Sequence, residues 1–211
     1  MSEWLVALGR KFARVTTNVV VRRPQLWRLF RPLMRKQFDA VASKWDAMRD
    51  PGHLRPYEQA LDAVSPPPAR ALDLGTGTGE GAFAIARRFP ETEVVGVDLA
   101  DQMLAKARSK TPPELEGRVR FERVDASALP YPDESFGLVA HANMIPFFDE
   151  LTRVLAAGGQ AIFAFSGGAE TPIYVPAERL REELARRGFT EFADFAVGQG
   201  TALLARKGAQ T

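Results

Sequence analysis

The chain has 211 residues, 45% hydrophobic and 26% charged, with no cysteine; this suits one α/β domain with an appendage and excludes disulfides, thiolate metal sites and cysteine nucleophiles. No apolar run approaches the roughly 18 residues of a membrane span, and the start lacks a secretory signal pattern, so a cytoplasmic protein is expected. The net charge of +2 is unevenly spread: residues 1–36 carry nine Lys/Arg against Glu3 alone, which leaves 19 basic and 25 acidic residues beyond.

The first 52 residues read as a basic helical arm, and residues 53–211 as the main domain. In the arm, Trp4, Leu8, Phe12, Val15 and Val19 recur at helical spacing, with Arg10, Lys11 and Arg14 off that stripe. The β-branched residues Thr16, Thr17 and Val19 to Val21 should weaken this helix toward its end, and Arg22-Arg23-Pro24 should break and restart it. A second helix carries Leu26, Trp27, Phe30, Leu33, Met34, Phe38, Val41 and Trp45 on one broad face, with Arg28, Arg31 and Arg35 elsewhere, until Asp50-Pro51-Gly52 ends it.

Beyond a short helix near 57–64 and the breaker Ser65-Pro66-Pro67-Pro68, strands are expected near 70–75, 93–98, 118–124, 136–142, 160–166, 190–197 and 201–206. Helices are expected near 79–89, 100–109, 147–156 and 176–187. This alternation predicts an α/β doubly wound, mostly parallel seven-stranded sheet. The last two strands are separated by Gly198-Gln199-Gly200 alone, too short for a helical crossover, so they should close the sheet as an antiparallel hairpin.

The run Ala71-Leu-Asp-Leu-Gly-Thr-Gly-Thr-Gly79 is an apolar strand ending in an acid and three alternating glycines, followed by a helix. Such a turn can press its N–H groups against a ligand at a helix N-terminus. Two cofactors fit. Gly77 to Ala82 matches the G-x-G-x-x-G/A dinucleotide pattern, with Asp98 placed as a ribose-binding carboxylate 21 residues beyond Gly77. An NAD-dependent oxidoreductase is therefore the alternative. Asp73 two residues before Gly75, the second strand-end acid in Val124-Asp125-Ala126, and the segment Phe148 to Gly159 favour the other reading.

Together these features resemble the class I S-adenosylmethionine-dependent methyltransferases, especially the ubiquinone/menaquinone-type small-molecule group, over residues 57–206. The resemblance implies a Rossmann-like methyltransferase fold with S-adenosyl-L-methionine as cofactor and no metal. It assigns Asp73, Gly75, Thr76, Gly77 and Gly79 to the methionine end, Asp98 to the ribose hydroxyls, Leu99 and Met103 to the flanks of the adenine, and Asp125 and Ala126 to its edge. Asn143, after the fourth strand, joins the cofactor-binding set. Asp98 and Asp125 also suit helix caps or turns, and Leu99 and Met103 suit a core.

Methyl transfer from a sulfonium is an in-line displacement in which positioning supplies much of the acceleration. Of the two histidines, His141 at the end of the fourth strand is the candidate general base, with a buried, hydrogen-bonded strand histidine as the alternative; His53 lies in the loop expected to fold over the cofactor. Ala142 to Phe147 reads apolar and departs from the pattern of nucleic-acid amino-methyltransferases, so a small, lipid-like acceptor is expected and nucleic acid is not. Thr171 to Pro176 should rim the pocket, with Tyr174 as a contact. The arm is read as a lid or dimer contact, as a surface meeting a membrane through residues 1–45, or as a transit peptide. A non-catalytic cofactor-binding protein of the same fold stays open.

Overall fold

A computed structural model describes residues 3–209, with side chains from Leu8 onward; Trp4 of the expected stripe thus lies outside the described side chains. Within the main domain the strands are β1 (Arg70–Leu74), β2 (Glu93–Asp98), β3 (Val119–Arg123), β4 (Phe136–Ala142), β5 (Leu155–Phe165), β6 (Phe189–Val197) and β7 (Gly200–Lys207). They form one sheet in the order β3-β2-β1-β4-β5-β7-β6. Pairing is parallel from β3 through β5, and β7 runs antiparallel to both β5 and β6. The expected terminal hairpin is present because the loop at Gly198 permits no crossover.

Strands β1, β2 and β4 are apolar on both faces, as a parallel sheet covered on both sides requires. Leu72, Leu74, Val95, Val97 and Val139 face one core; Ala71, Val94, Leu138 and Ala140 face the other. Helices α3 (Arg55–Asp62) and α4 (Glu80–Arg88) cover the second face through Tyr57, Leu61 and Ile85, while α6 (Phe148–Val154) and α7 (Ala177–Ala185) cover the first through Leu151 and Leu180. Helix α5 (Asp101–Ser109) follows β2. Each fully buried aliphatic or aromatic side chain contributes about 1.5–3 kcal/mol.

The arm differs from its sequence pattern in two ways. Helix α1 (Glu3–Arg22) runs unbroken through its β-branched stretch. Thr16, Thr17 and Val20 are buried there, and Thr17 Oγ1 donates to Ala13 O at 2.8 Å, so a hydroxyl is accommodated without ending the helix. Helix α2 (Trp27–Val41) stops short of Trp45 and gives way to 3₁₀ turns at Ala42–Lys44 and Asp46–Met48. The tighter backbone swings Asp46 toward the glycine loop, where it accepts a hydrogen bond from Thr78 Oγ1 at 2.6 Å.

Strand order reverses at β1, whose neighbours are β2 and β4, so a crevice opens beyond the carboxyl ends of β1 and β4. Open α/β sheets bind ligands at such a switch point. Here the crevice is roofed by the arm: Ala13, Val20, Trp27 and Met34 merge with the first core.

Candidate active site

Beyond β1 the chain turns through three glycines with positive φ, Gly75 (64°), Gly77 (54°) and Gly79 (89°), a backbone that glycine adopts without steric cost. Their roles differ. A Cβ on Gly77 would stand 3.7 Å from Trp45 Nε1, so the loop and the indole bound one narrow space. A Cβ on Gly79 would meet Phe83 and Phe121 at 2.9 Å. Gly79 therefore starts α4 and packs inward; unlike Gly75, Thr76 and Gly77 it does not line the cleft.

Asp73 is 2% exposed and accepts a 2.6 Å bond from Thr76 Oγ1 and a long 3.4 Å bond from Tyr57 OH. Burial pushes its pKa up to about 7, although the Thr76 and Tyr57 hydroxyls pull it down. It holds the loop in shape and lines the cleft floor.

Asp98 ends β2 with one oxygen accepting Gly77 N at 2.9 Å and the other accepting Ala100 N at 2.9 Å. The carboxylate lines the cleft, and a carboxylate there can accept hydrogen bonds from a diol. Burial raises its pKa against the backbone bonds from Ala100, Gly77 and Leu99. Leu99 and Met103 flank it, and Met103 is buried against Ala42, Phe38 and Trp45 of the arm.

Asp125 makes the turn bond of its alternative reading and also anchors the arm. Its Oδ1 accepts Trp27 Nε1 at 2.9 Å, Ser127 N at 3.0 Å and Ser127 Oγ at 2.8 Å, while Oδ2 pairs with Arg31 at 3.0 Å. Burial would raise its pKa, but these donors outweigh burial and hold it below the usual range. The side chain lines the cleft with Ala126, yet most of its bonding capacity belongs to the arm. Asn143, at φ 55°, also lines the cleft, with its Oδ1 committed to Ser166 N at 2.9 Å.

His141 is placed elsewhere than the general-base reading requires. It is 0% exposed, lies edge-on to Phe163 at 4.8 Å, and is not part of the cleft lining. Neither ring nitrogen has a partner among the described residues, and burial lowers its pKa to about 3. The β4 alternation turns it into the first core, buried as the strand-histidine alternative has it but without the hydrogen bond that alternative includes. Tyr174 packs on Phe165 at 5.2 Å, and its neighbour Ile173 reaches the cleft instead.

Cleft residues that the sequence pattern did not single out come mostly from the arm: Trp27, Arg35, Phe38, Trp45 and Arg49. Arg35 pairs with Asp101 at 2.7 Å, and Lys110 joins Asp46 at 3.0 Å. His53 Nε2 meets Glu80 Oε2 at 3.0 Å, which puts the pre-domain loop over the cleft as expected. The charge surplus of the arm and the acids at the strand ends were the sequence signal for this clasp.

Arg49 stands apart. Its guanidinium stacks over Trp45 at 4.2 Å and has no hydrogen bond or ion pair among the described residues. Burial lowers its pKa against the fields of Glu80 and Asp46. A shielded guanidinium without a carboxylate suits an anionic ligand group. With the Asp98 carboxylate in the cleft and the Gly77 face beside it, the residues present fit an adenosyl cofactor bearing an amino-acid tail.

Comparison with known proteins agrees. Residues 71–159 match the family model described as a methyltransferase domain. The demethylmenaquinone methyltransferase of Thermus thermophilus is 41% identical over 138 residues, covering 59% of this chain and 62% of the relative. A solved S-adenosylmethionine-dependent methyltransferase from Aquifex aeolicus superposes with a TM-score of 0.65 at 20% identity, over 78% of this chain and 97% of that one. A solved [4+2]-cyclase has a TM-score of 0.64 at 20% identity, over 84% and 96%. The chain is thus similar to the S-adenosylmethionine-dependent methyltransferases in its residues 71–159 and in its fold. Within that class its sequence likeness is to the quinone-methyltransferase-like group, and it spans less than two thirds of the length of the curated relatives it matches first.

Proposed function

We propose that the protein transfers a methyl group from S-adenosylmethionine to a small, apolar, lipid-soluble acceptor of the quinol or phenol type, working in the cytoplasm beside a membrane. The cofactor would supply an electrophilic methyl on a sulfonium. Asp98 would hold its ribose, Arg49 its carboxylate, and Leu99, Met103 and Ala126 the adenine.

The observation that carries the acceptor class is the lining beyond the glycine loop. Met144, Ile145, Phe147 and Ile173 form an apolar wall on the β4 side, roofed by Trp27. His141 stays out of the lining and His53 is tied to Glu80. The chain's own residues therefore orient the acceptor and exclude water, and an acceptor acidic enough to ionise unaided suits the site.

Calorimetric titration with S-adenosylhomocysteine and, separately, NADH tests the cofactor. Micromolar binding of the first alone is expected; tight NADH binding alone would return the dinucleotide reading. Labelled methyl transfer to a panel of hydroxylated quinones and phenols tests the reaction. Cofactor binding with no transfer to any of them would favour a non-methylating role on the same fold, as the [4+2]-cyclase likeness makes concrete.

A further inference from the structure

Helix α1 packs on the domain with the wrong side for its sequence pattern. Its buried residues are Ala13, Thr16, Thr17 and Val20, whereas Leu8 and Val15 of the apolar stripe are 51% and 49% exposed. On α2, Leu29 and Leu33 are 65% and 53% exposed. The half-buried rings of Phe12 and Phe30 meet at 6.2 Å between the two helices. Leu8 and Val15 flank Phe12 at helical spacing and Leu33 follows Phe30 by one turn, so the exposed side chains border one seam. With Met48, these four are all the exposed large hydrophobic residues among the described ones.

The charges around the seam have one sign. From Leu8 to Phe38 there is no acidic residue. Arg10, Arg14, Arg31 and Arg35 bond to the domain. Lys11, Arg22, Arg23, Arg28 and Lys36 are exposed and carry no ion pair among the described residues. Exposed leucines among free cations match the interface of a bilayer bearing anionic lipid, and like charge disfavours a second copy of the same face. No described helix is long and apolar enough to cross a membrane.

We propose that the outer face of α1 and α2, centred on the Phe12–Phe30 seam, docks on an anionic lipid surface. The opposite side of α2 carries Trp27 and Arg35 into the cleft lining and pairs Arg31 with Asp125, so the docked helix is also the roof of the candidate site. The purpose of docking rests on the lipid-soluble acceptor reading; the exposed leucines and free cations that support it do not.

Flotation of the full chain with phosphatidylcholine vesicles, with and without phosphatidylglycerol, tests it. The protein should float with the anionic vesicles, less so at high salt. Leu29→Ser with Leu33→Ser should lower partitioning about tenfold or more and leave S-adenosylhomocysteine affinity unchanged, since both residues point away from the cleft. Arg22→Gln with Arg28→Gln should lower it several-fold. Failure of the unaltered protein to float, or equal flotation by the serine variant, overturns docking. So does a dimer in size-exclusion chromatography that the serine variant converts to monomer. If flotation fails while a water-soluble phenol is methylated, docking falls and the methyl-transfer reading stands. Flotation without cofactor binding leaves docking in place and removes the methyl-transfer reading.

Discussion

Trp27 Nε1 donates a 2.9 Å hydrogen bond to Asp125 Oδ1, joining the second helix of the arm to the loop that follows β3. The indole also lies edge-on to Phe147 at 5.4 Å, so one side chain bridges the adenine and acceptor sides of the cleft. Trp27→Phe keeps the packing and removes the donor to a carboxylate, a loss of about 1–2 kcal/mol in roof closure. Affinity for S-adenosylhomocysteine should fall about fivefold to tenfold, and limited proteolysis between residues 23 and 48 should quicken. Unchanged values for both would mean that the bond does not hold the roof.

Asp98→Ala should lower S-adenosylhomocysteine affinity at least tenfold, because charge-assisted bonds to two hydroxyls are each worth about 1.5–3 kcal/mol. Calorimetry with 2′-deoxyadenosyl analogues provides the check. The variant should discriminate against them much less than the unaltered protein does.

Arg49→Met should weaken S-adenosylhomocysteine about tenfold to a hundredfold and leave 5′-methylthioadenosine, which has no amino-acid tail, nearly unaffected. Equal losses for both ligands would show that Arg49 props up the roof and does not read a carboxylate.

Two buried groups give stability opposite slopes with pH. Asp73 titrates near 7 in the folded chain against an ordinary 3.8, so its contribution is complete below about 4 and is lost as pH rises toward 7. His141 titrates near 3 against an ordinary 6.5, so its contribution is present above about 6.5 and is lost as pH falls toward 3. Between pH 4.5 and 6 the two oppose each other, at about 1.4 kcal/mol per pH unit each, and the raised Asp98 adds to the Asp73 direction. Denaturant melts should therefore find the stability of Asp73→Asn rising with pH relative to the unaltered protein, and that of His141→Leu falling relative to it.

His141→Leu should also retain methyl transfer within about twofold, since the ring does not border the cleft. A loss of a hundredfold or more at unchanged cofactor affinity would restore the general-base role.

The sheet was readable because its signals are local: apolar runs of strand length, glycine and proline punctuation, and a three-residue loop that permits only a hairpin. The floor of the cleft was readable for the same reason, since Asp73, Gly75, Gly77 and Asp98 sit at strand ends. The roof was not. Periodicity reports that a helix has an apolar stripe without saying which partner the stripe meets, and α1 buries Ala13 and Thr17 while exposing Leu8 and Val15. Trp45 and Arg49 lie in 3₁₀ turns and a loop whose path is set by tertiary bonds such as Asp46 to Thr78. His141 shows a finer limit: a strand end marks the crevice, but alternation of a single residue decides whether a side chain faces the ligand or the core.

The arm grips the domain at Asp125, Asp101, Gln102 and Thr78, all around the mouth of the cleft. A buried cofactor beneath such a roof can be exchanged only when several of these bonds part together. Under the proposed methyl transfer, each cycle would contain an opening step that chemistry cannot hasten, and departure of the spent cofactor is expected to set the steady-state rate, visible as a burst of product in the first turnover.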